Sequence, residues 1–144
     1  MAKPGSVIEL TGDLGAGKTC FVQGLAQGLG IPDDCYITSP TYAIINEYPG
    51  RIDLFHADLY RINDPFELET IGFYENYEKK GVMAIEWPDR LEKTDFDDHL
   101  HVVIQSAGEN SREINFFFNG QKWENLVLIP VKYKIKKRLN VQQR

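Results

Sequence analysis

Residues 12–19, GDLGAGKT, place three glycines within six positions and follow them with a lysine and a threonine. Glycine adds backbone freedom that folding must remove, so this stretch makes a poor helix and a poor strand. It satisfies the pattern G-x-x-x-x-G-K-[ST] through Gly12, Gly17, Lys18 and Thr19. In that pattern, backbone N–H groups surround a phosphate chain, the lysine reaches the β- and γ-phosphates and the hydroxyl ligates Mg²⁺. The stretch therefore predicts a phosphate-binding loop, the P-loop, for a nucleoside triphosphate.

The segments on either side of the P-loop have the periodicity that the motif needs. Before it, SVIEL (6–10) predicts a short apolar strand. After it, apolar residues recur at three- and four-residue steps from Lys18 to Leu29, which predicts a helix that Gly30 and Pro32 end. Such a helix adds free N–H groups and the positive end of its dipole to the phosphate site. We expect nucleotide contacts along the whole turn, from Asp13, Leu14, Gly15, Ala16, Gly17, Lys18, Thr19 and Cys20.

The rest of the chain alternates between strand and helix patterns, which indicates an α/β fold. Its segments are two strand-like runs at 41–48 and 51–60 joined by Pro49-Gly50, a helix at 64–80 capped by Asp64 with Pro65 in its first turn, a buried strand at 81–87, and a hairpin of strands at 99–105 and 112–118. We predict a P-loop nucleotide-binding fold with a mostly parallel central sheet and antiparallel strands at its margins.

Two strand-end carboxylates are candidates for holding Mg²⁺ beside the phosphates. Glu86 follows four apolar residues in VMAIE (82–86), the form expected of a buried strand that ends at the nucleotide. Asp58 ends another strand in FHADLYR (55–61). The two carboxylates can divide the work, one acting through the metal and the other orienting water. The alternative is that each is an ordinary strand-end or turn acid, but a triphosphate site without acids would bind Mg²⁺ weakly.

Other polar and aromatic residues near these segments are weaker candidates. The hydroxyl-rich stretch TSPTY (38–42) suits a loop that senses the γ-phosphate and the metal, although an ordinary Ser/Thr/Pro loop has the same composition. Trp87 follows Glu86 directly, so we expect it beside the nucleotide or, alternatively, in a packing role. The three histidines, His56, His99 and His101, lack the spacing of metal ligands, and we interpret them as structural.

The charge distribution argues against general nucleic-acid binding. Residues 127–144 carry six basic residues and no acidic one, whereas residues 1–126 hold ten basic and 21 acidic residues. Affinity for phosphate backbones comes mostly from Lys and Arg, so the acidic part is a poor binder of nucleic acid. We predict a P-loop domain over residues 1–126 and a basic tail over 127–144. The tail is either a solvated extension or a contact for RNA or an acidic partner.

The sequence predicts a cytoplasmic protein without a membrane anchor. No apolar run approaches the roughly 20 residues that span a bilayer, and the start, MAKPGSVIEL, lacks the zones of a signal peptide. Cys20 and Cys35 have no CxxC spacing and no neighbouring histidine cluster, which indicates reduced thiols.

Four blocks of the chain together resemble one family. They are GDLGAGKT, TSPTYAIINEY, HADLYRINDPFELETIG and AIEWPDRL. In this combination they are similar to the TsaE (formerly YjeE) family over roughly residues 5–125. That family supplies the small P-loop ATPase used in bacterial synthesis of threonylcarbamoyladenosine on tRNA. Relatives usually carry a helix before the first strand, whereas five residues precede SVIEL here, so we expect either a truncated chain or one that dispenses with that helix.

The resemblance implies an activity and its partners. The protein would bind ATP and Mg²⁺, hydrolyse ATP slowly by itself and be stimulated by partners. It would act with the tRNA threonylcarbamoyl transferase subunit and that subunit's paralogous partner, resetting the complex between turnovers, and would touch tRNA weakly or indirectly. By matching position, the resemblance implies roles for these residues: Lys18 and Thr19 as P-loop ligands, Thr41 facing the γ-phosphate and metal, Asp58 holding Mg²⁺ with Thr19, and Glu86 as catalytic acid–base, water-positioning or metal-binding residue with Trp87 beside it.

A small P-loop phosphotransferase, such as a nucleoside-type kinase, is the alternative function. It needs an acceptor pocket and usually an arginine-bearing lid, whereas the four arginines before the tail are not clustered: Arg51, Arg61, Arg90 and Arg112. A GTPase is disfavoured because the nearest match to a guanine-reading loop, EKTD (92–95), has Glu92 in the amide or hydroxyl position. A non-catalytic RNA-binding module would depend on the basic tail alone.

Overall fold

A computed structural model describes residues 2–91, 96 and 98–120 of the 144-residue chain. The predicted basic tail at 127–144 and the EKTD stretch at 92–95 lie outside the described residues. The elements are β1 (Val7–Thr11), α1 (Lys18–Gly28), β2 (Ile45–Tyr48), β3 (Leu54–Asp58), α2 (Phe66–Thr70), α3 (Phe73–Glu78), β4 (Val82–Glu86), a 3₁₀ turn (Pro88–Arg90), β5 (His99–Ser106) and β6 (Arg112–Asn119).

The six strands form one sheet in the order β2-β3-β4-β1-β5-β6. The central pairs β3–β4, β4–β1 and β1–β5 are parallel, and the marginal pairs β2–β3 and β5–β6 are antiparallel. This confirms the predicted α/β fold. The register places Glu86 opposite both Asp58 and Leu10, so the carboxyl ends of β3, β4 and β1 meet at one edge of the sheet.

Both faces of the central strands are covered, which explains why these strands read as nearly continuous apolar runs. One face packs Ile8, Leu10 and Ala84 against α1 residues such as Val22 and Ala26. The other face packs a second cluster against α2 and α3, and it includes Val7, Phe55, Ile85, Leu68 and Phe73. Glu86 therefore ends a strand whose every residue is buried.

The predicted strand at 41–48 begins only at Ile45, because the residues before it form a turn. Ile44 has φ 65°, a left-handed conformation that strand geometry does not allow. Its N–H donates to the Pro40 carbonyl over 2.6 Å, and its own carbonyl accepts from the Asp58 N–H over 2.9 Å. The strand prediction was therefore wrong over residues 41–44, which instead continue the loop formed by residues 38–40.

The predicted helix at 64–80 is two short helices that meet at Gly72. Gly72 has φ 68°, which ends α2 and starts α3 in a new direction. The predicted cap at the first helix is confirmed, since Asp64 Oδ1 accepts from the Phe66 N–H over 3.0 Å. Glu67 completes a capping box by accepting from the Asp64 N–H over 3.1 Å.

Between residues 2 and 120, excluding the undescribed positions, every helix is too short or too polar to cross a membrane.

Substituting the glycine between α2 and α3 should destabilise the protein. Gly72→Ala places a Cβ on a left-handed residue, 2.7 Å from Glu75 Oε2, and should lower the free energy of unfolding by about 1–2 kcal/mol. Gly24→Ala, in the exposed interior of α1 with open space around its Cβ, should raise it by about 0.4–1 kcal/mol. Urea unfolding of both variants tests this, and a Gly72→Ala variant at least as stable as the unsubstituted protein would contradict the Gly72 conformation.

Candidate nucleotide-binding site

The P-loop runs from the end of β1 into the first turn of α1. Gly15 and Gly17 have φ values of 76° and 113°, which side-chain-bearing residues rarely adopt. Gly17 is the N-cap of α1, and no side chain bonds to the N–H groups of that first turn. Those N–H groups and the helix dipole are therefore available to an anion.

Lys18 is buried at the mouth of the loop and bonds to the loop's own backbone. Its Nζ donates to the Gly12 carbonyl over 2.7 Å and to the Asp13 carbonyl over 3.0 Å. The ammonium also lies 4.1 Å from the centre of the Trp87 ring. Burial lowers the pKa of Lys18, and the carboxylates of Glu86 and Asp58 partly oppose that shift. The ammonium is thus held where it can turn toward a phosphate.

Glu86 accepts two hydrogen bonds on a single oxygen. The Thr19 hydroxyl donates to Glu86 Oε1 over 2.8 Å, which ties the first turn of α1 to the end of β4. The ring Nε2 of His56, in β3, lies 2.9 Å from the same oxygen. The buried Glu86 carboxylate is therefore hydrogen-bonded to the P-loop threonine at the end of β4.

Asp58 is connected to the hydroxyl-rich loop. Ser39 Oγ donates to Asp58 Oδ2, and the Ser39 and Thr41 hydroxyls lie 3.0 Å apart. The backbone N–H of Tyr60 donates to the other Asp58 oxygen over 3.1 Å. The predicted residues Thr41 and Asp58 thus belong to one hydrogen-bonded chain, in which Ser39 is the link.

These groups surround a cavity of about 400 Å³. Its lining includes these predicted residues: Leu14, Gly15, Gly17, Lys18, Thr19, Cys20, Thr41, Asp58, Glu86 and Trp87. Two predicted contacts lie elsewhere. Asp13 contributes its carbonyl to Lys18, and Ala16 lines a second cavity of about 310 Å³, which shares Gly15, Gly17 and Cys20 with the first. Ser39 and Tyr60 also line the main cavity but were not singled out from the sequence.

Backbone strain is concentrated beside this cavity. Ile44 and Trp87 are the two non-glycine residues with left-handed φ in the described part of the chain, at 65° and 61°. Trp87 turns immediately after Glu86, and its ring lies 5.0 Å from that of Tyr60 and over the Lys18 ammonium. Conformations of this kind cost about 1–3 kcal/mol each and cluster at functional sites. Neither residue type signals such a conformation in the sequence.

The oxygen atoms at the cavity suit Mg²⁺, which substrate and water help to hold, better than a metal ion that is held by protein side chains alone. The described residues contain no group of three or more His, Cys, Asp or Glu side chains that could hold a metal ion. Mg²⁺ typically takes one or two carboxylates together with water and substrate phosphates. The Thr19 hydroxyl and the carboxylates of Asp58 and Glu86 form such an incomplete set, which a triphosphate would complete.

Arg112 joins the P-loop to the β5–β6 hairpin. Its Nε donates to the Ala16 carbonyl over 3.0 Å, and its Nη1 donates to the carbonyls of Gly108 and Ser111. Glu109 and Asn110 of this hairpin line the second cavity with Arg112. The sequence predicted no role for these residues, because the contact spans 96 positions along the chain.

Known proteins resemble this chain in sequence. The sequence model of the TsaE family, described as threonylcarbamoyl adenosine biosynthesis protein TsaE, matches residues 1–114. The chain is 44% identical over 126 residues to the tRNA threonylcarbamoyladenosine biosynthesis protein TsaE of Bacillus subtilis, covering 87% of this chain and 77% of that protein. It is 40% identical to the protein of the same name from Treponema pallidum, covering 79% and 83%.

A solved structure is similar as well. The crystal structure of YdiB from Bacillus subtilis superposes with a TM-score of 0.66 at 38% sequence identity, covering 84% of this chain and 72% of that chain. The similarity therefore extends from the sequence to the arrangement of the strands and helices.

The buried lysine should make triphosphate binding dependent on pH. Burial lowers the pKa of Lys18 in the free protein, and a bound triphosphate favours the charged ammonium. Above that lowered pKa, binding must therefore take up a proton, and the affinity for ATP should fall as the pH rises. Below the lowered pKa, the lysine is already charged and the affinity should stay level.

Calorimetric titration with ATP in buffers of different ionisation enthalpy measures this proton uptake. Lys18→Arg is the matched control, since a guanidinium does not titrate in this range and should show no uptake. Equal affinities across the alkaline range in the unsubstituted protein would contradict the described environment of Lys18.

Proposed function

Because this chain belongs to the TsaE family of tRNA threonylcarbamoyladenosine biosynthesis proteins, we propose that it binds ATP and hydrolyses it slowly as an accessory subunit of that modification. The reaction it serves is threonylcarbamoyl transfer to adenosine 37 of tRNA, which other subunits carry out. One observation carries the assignment to an ATPase: the P-loop threonine is hydrogen-bonded to the strand-end carboxylate of Glu86 over 2.8 Å. That bond unites the two parts that triphosphate chemistry requires.

In this proposal the P-loop backbone binds the β- and γ-phosphates. The uncapped N–H groups at the start of α1 donate to phosphate oxygens, as at other helix N-termini. Lys18 exchanges its two neutral carbonyl partners for negatively charged phosphate oxygens, so its hydrogen bonds become ion pairs as well. Trp87 keeps the ammonium within reach by lying over it.

Thr19 and Asp58 would hold Mg²⁺ directly, and Glu86 would reach the ion through a bound water molecule. Thr19 donates its proton to Glu86, so its oxygen lone pairs remain for the metal. Asp58 is oriented by Ser39 and by the Tyr60 N–H, and Glu86 lies beside it in the register of β3 and β4. The bound ion would supply charge neutralisation between the β- and γ-phosphates.

Glu86 and Thr41 are the residues proposed to act on the reacting groups. Glu86 Oε1 is occupied by Thr19 and His56, which leaves Oε2 to orient or deprotonate a water molecule. Thr41 lies on the loop connected to Asp58 and lines the same cavity, where it faces the proposed γ-phosphate position.

The slow ATP hydrolysis that we propose for the isolated protein has a physical reason. No arginine among the described residues lines the main cavity. Arg61 lies over the Tyr42 ring, Arg112 is bonded to the P-loop backbone and Arg51 to the Gly28 carbonyl. An arginine finger raises phosphoryl-transfer rates by about 10³–10⁵. A partner that supplies such a charge, or reorders the loop, would therefore stimulate hydrolysis.

The proposed partners are the transferase subunit and its paralogue, and their contact surface surrounds the cavity mouth. Large apolar side chains are exposed there, with Leu14 78% and Tyr42 86% accessible and Tyr60 also exposed. Exposed apolar groups clustered beside a site are typical of protein interaction surfaces. Contact with tRNA is weak or indirect in this proposal, since residues 1–126 are acidic.

Two substitutions separate ATP binding from hydrolysis. Lys18→Ala removes about two charge-assisted hydrogen bonds and should weaken ATP binding by about 100-fold or more. Glu86→Gln keeps the side-chain volume and should lower the hydrolysis rate by about 10²–10³, with ATP affinity within about threefold. Calorimetry and phosphate-release kinetics measure the two effects. Equal loss of binding in both variants would reassign Glu86 to a structural role.

Reconstitution with the transferase pair tests the accessory role. We expect weak ATPase activity for the isolated protein, stimulation when both partner subunits are added, and loss of tRNA modification when Lys18→Ala replaces the unsubstituted protein. Turnover by the isolated protein at the roughly 1–100 s⁻¹ usual for kinases would overturn the proposal. Phosphorylation of a nucleoside would support the phosphotransferase alternative instead.

A further inference from the structure

His56 is a buried polar ring in the middle of the central sheet. It has 0% exposure, and it lies opposite Ala84 in the β3–β4 register, on the face that packs against α1. Its Nε2 lies 2.9 Å from Glu86 Oε1, whereas its buried Nδ1 has no hydrogen-bond partner among the described residues. An unsatisfied buried polar atom costs about 1–3 kcal/mol, which a leucine at this position would avoid. Packing alone therefore does not account for a histidine here.

The contact determines which ring nitrogen carries the proton. An ionised carboxylate oxygen only accepts hydrogen bonds, so Nε2 must donate to Glu86 Oε1. Thr19 Oγ1 donates to the same oxygen from α1. Two donors from two different elements thus hold one oxygen, Oε1, of a carboxylate that lines the main cavity.

The other two histidines lie away from Glu86, although His99 Nε2 is 3.6 Å from Oε2 of another buried carboxylate, Glu9. His99 Nδ1 bonds to the Phe96 carbonyl, and its Nε2 lies 3.0 Å from the Asn119 amide. His101 lies 2.8 Å from the Thr11 hydroxyl. Neither of these rings lines the main cavity or contacts Glu86. Among the chain's three histidines, His56 alone is joined to the proposed reaction centre.

We propose that His56 is a positioning residue for Glu86, and that its Nε2–H holds the carboxylate with Oε2 directed at the reacting water. This inference rests on the proposed ATPase function. It implies that removing the Nε2–H donor leaves the triphosphate contacts of the P-loop intact. The loss then falls on the rate of the chemical step, because the carboxylate gains rotational freedom.

Two substitutions at His56 separate the donor from the volume of the ring. His56→Leu fills the space without a donor and should lower the single-turnover hydrolysis rate by about 10–100-fold, the range for loss of a partner that orients a catalytic ligand. The Kd for ATP should stay within about threefold. His56→Gln carries an amide N–H at about the position of Nε2 and should recover most of the rate.

Leu54→Val is the matched control for a loss of packing. Leu54 lies two residues away on the same strand and face, and it is also fully buried. This variant should lower the melting temperature without changing the hydrolysis rate. The inference is overturned if His56→Leu keeps the rate, if His56→Gln is as slow as His56→Leu, or if Leu54→Val is equally slow.

A spectroscopic measurement tests the contact between His56 and Glu86 without depending on ATP hydrolysis. Three histidines give few signals in a ¹⁵N spectrum, and the His56 signals are identified as those that His56→Gln removes. We expect the Nε2–H tautomer at His56, with an Nε2 shift that changes in Glu86→Gln. An Nδ1–H tautomer, or an unchanged Nε2 shift, would overturn the inference even if the His56 variants fail to fold. Absence of hydrolysis in the unsubstituted protein, with partners present, would instead refute the ATPase proposal and leave this contact to be judged separately.

Discussion

The hydrogen bond from Thr19 Oγ1 to Glu86 Oε1 joins the first turn of α1 to the carboxyl end of β4. It ties the P-loop to the sheet edge where β3, β4 and β1 end, and the other polar groups of the site gather around that edge. Asp58 reaches the same edge because β3 and β4 are parallel and in register. A helix N-terminus with free N–H groups is thereby placed against two carboxylates, a combination that favours an anion only together with a cation.

The polar groups of the site contact one another in the structure, and a ligand would take the place of these contacts. Lys18 bonds to loop carbonyls and lies over Trp87, and Ser39 bonds to Asp58. Each of these contacts satisfies a buried polar group that would otherwise be costly. If phosphate and metal contacts replace them, the same polar groups remain paired, so ligand binding need not disrupt the fold. The left-handed residues Ile44 and Trp87 show that the surrounding loops are held under backbone strain.

Local sequence patterns predicted much of the fold and of the candidate site. The P-loop, the strand ending at Glu86 and the mostly parallel sheet follow from short motifs and from periodicity, which report burial along the chain. Periodicity does not report φ, so the turn at Ile44 and the helix break at Gly72 were missed. The partners of Ser39, His56 and Arg112 lie 19, 30 and 96 positions away in sequence, and such contacts depend on the packed sheet.

Protection of the Cys20 thiol from alkylation is the most direct test that the P-loop binds a magnesium-bound triphosphate. Cys20 is exposed and lines the main cavity, whereas Cys35 lines a separate cavity with residues near the C-terminal half of α1. Alkylation of both thiols is followed by mass spectrometry with and without Mg²⁺ and ATP. We expect saturating ATP to slow labelling of Cys20 and to leave Cys35 unchanged. Equal labelling rates at Cys20 in both conditions would contradict a triphosphate bound at this loop.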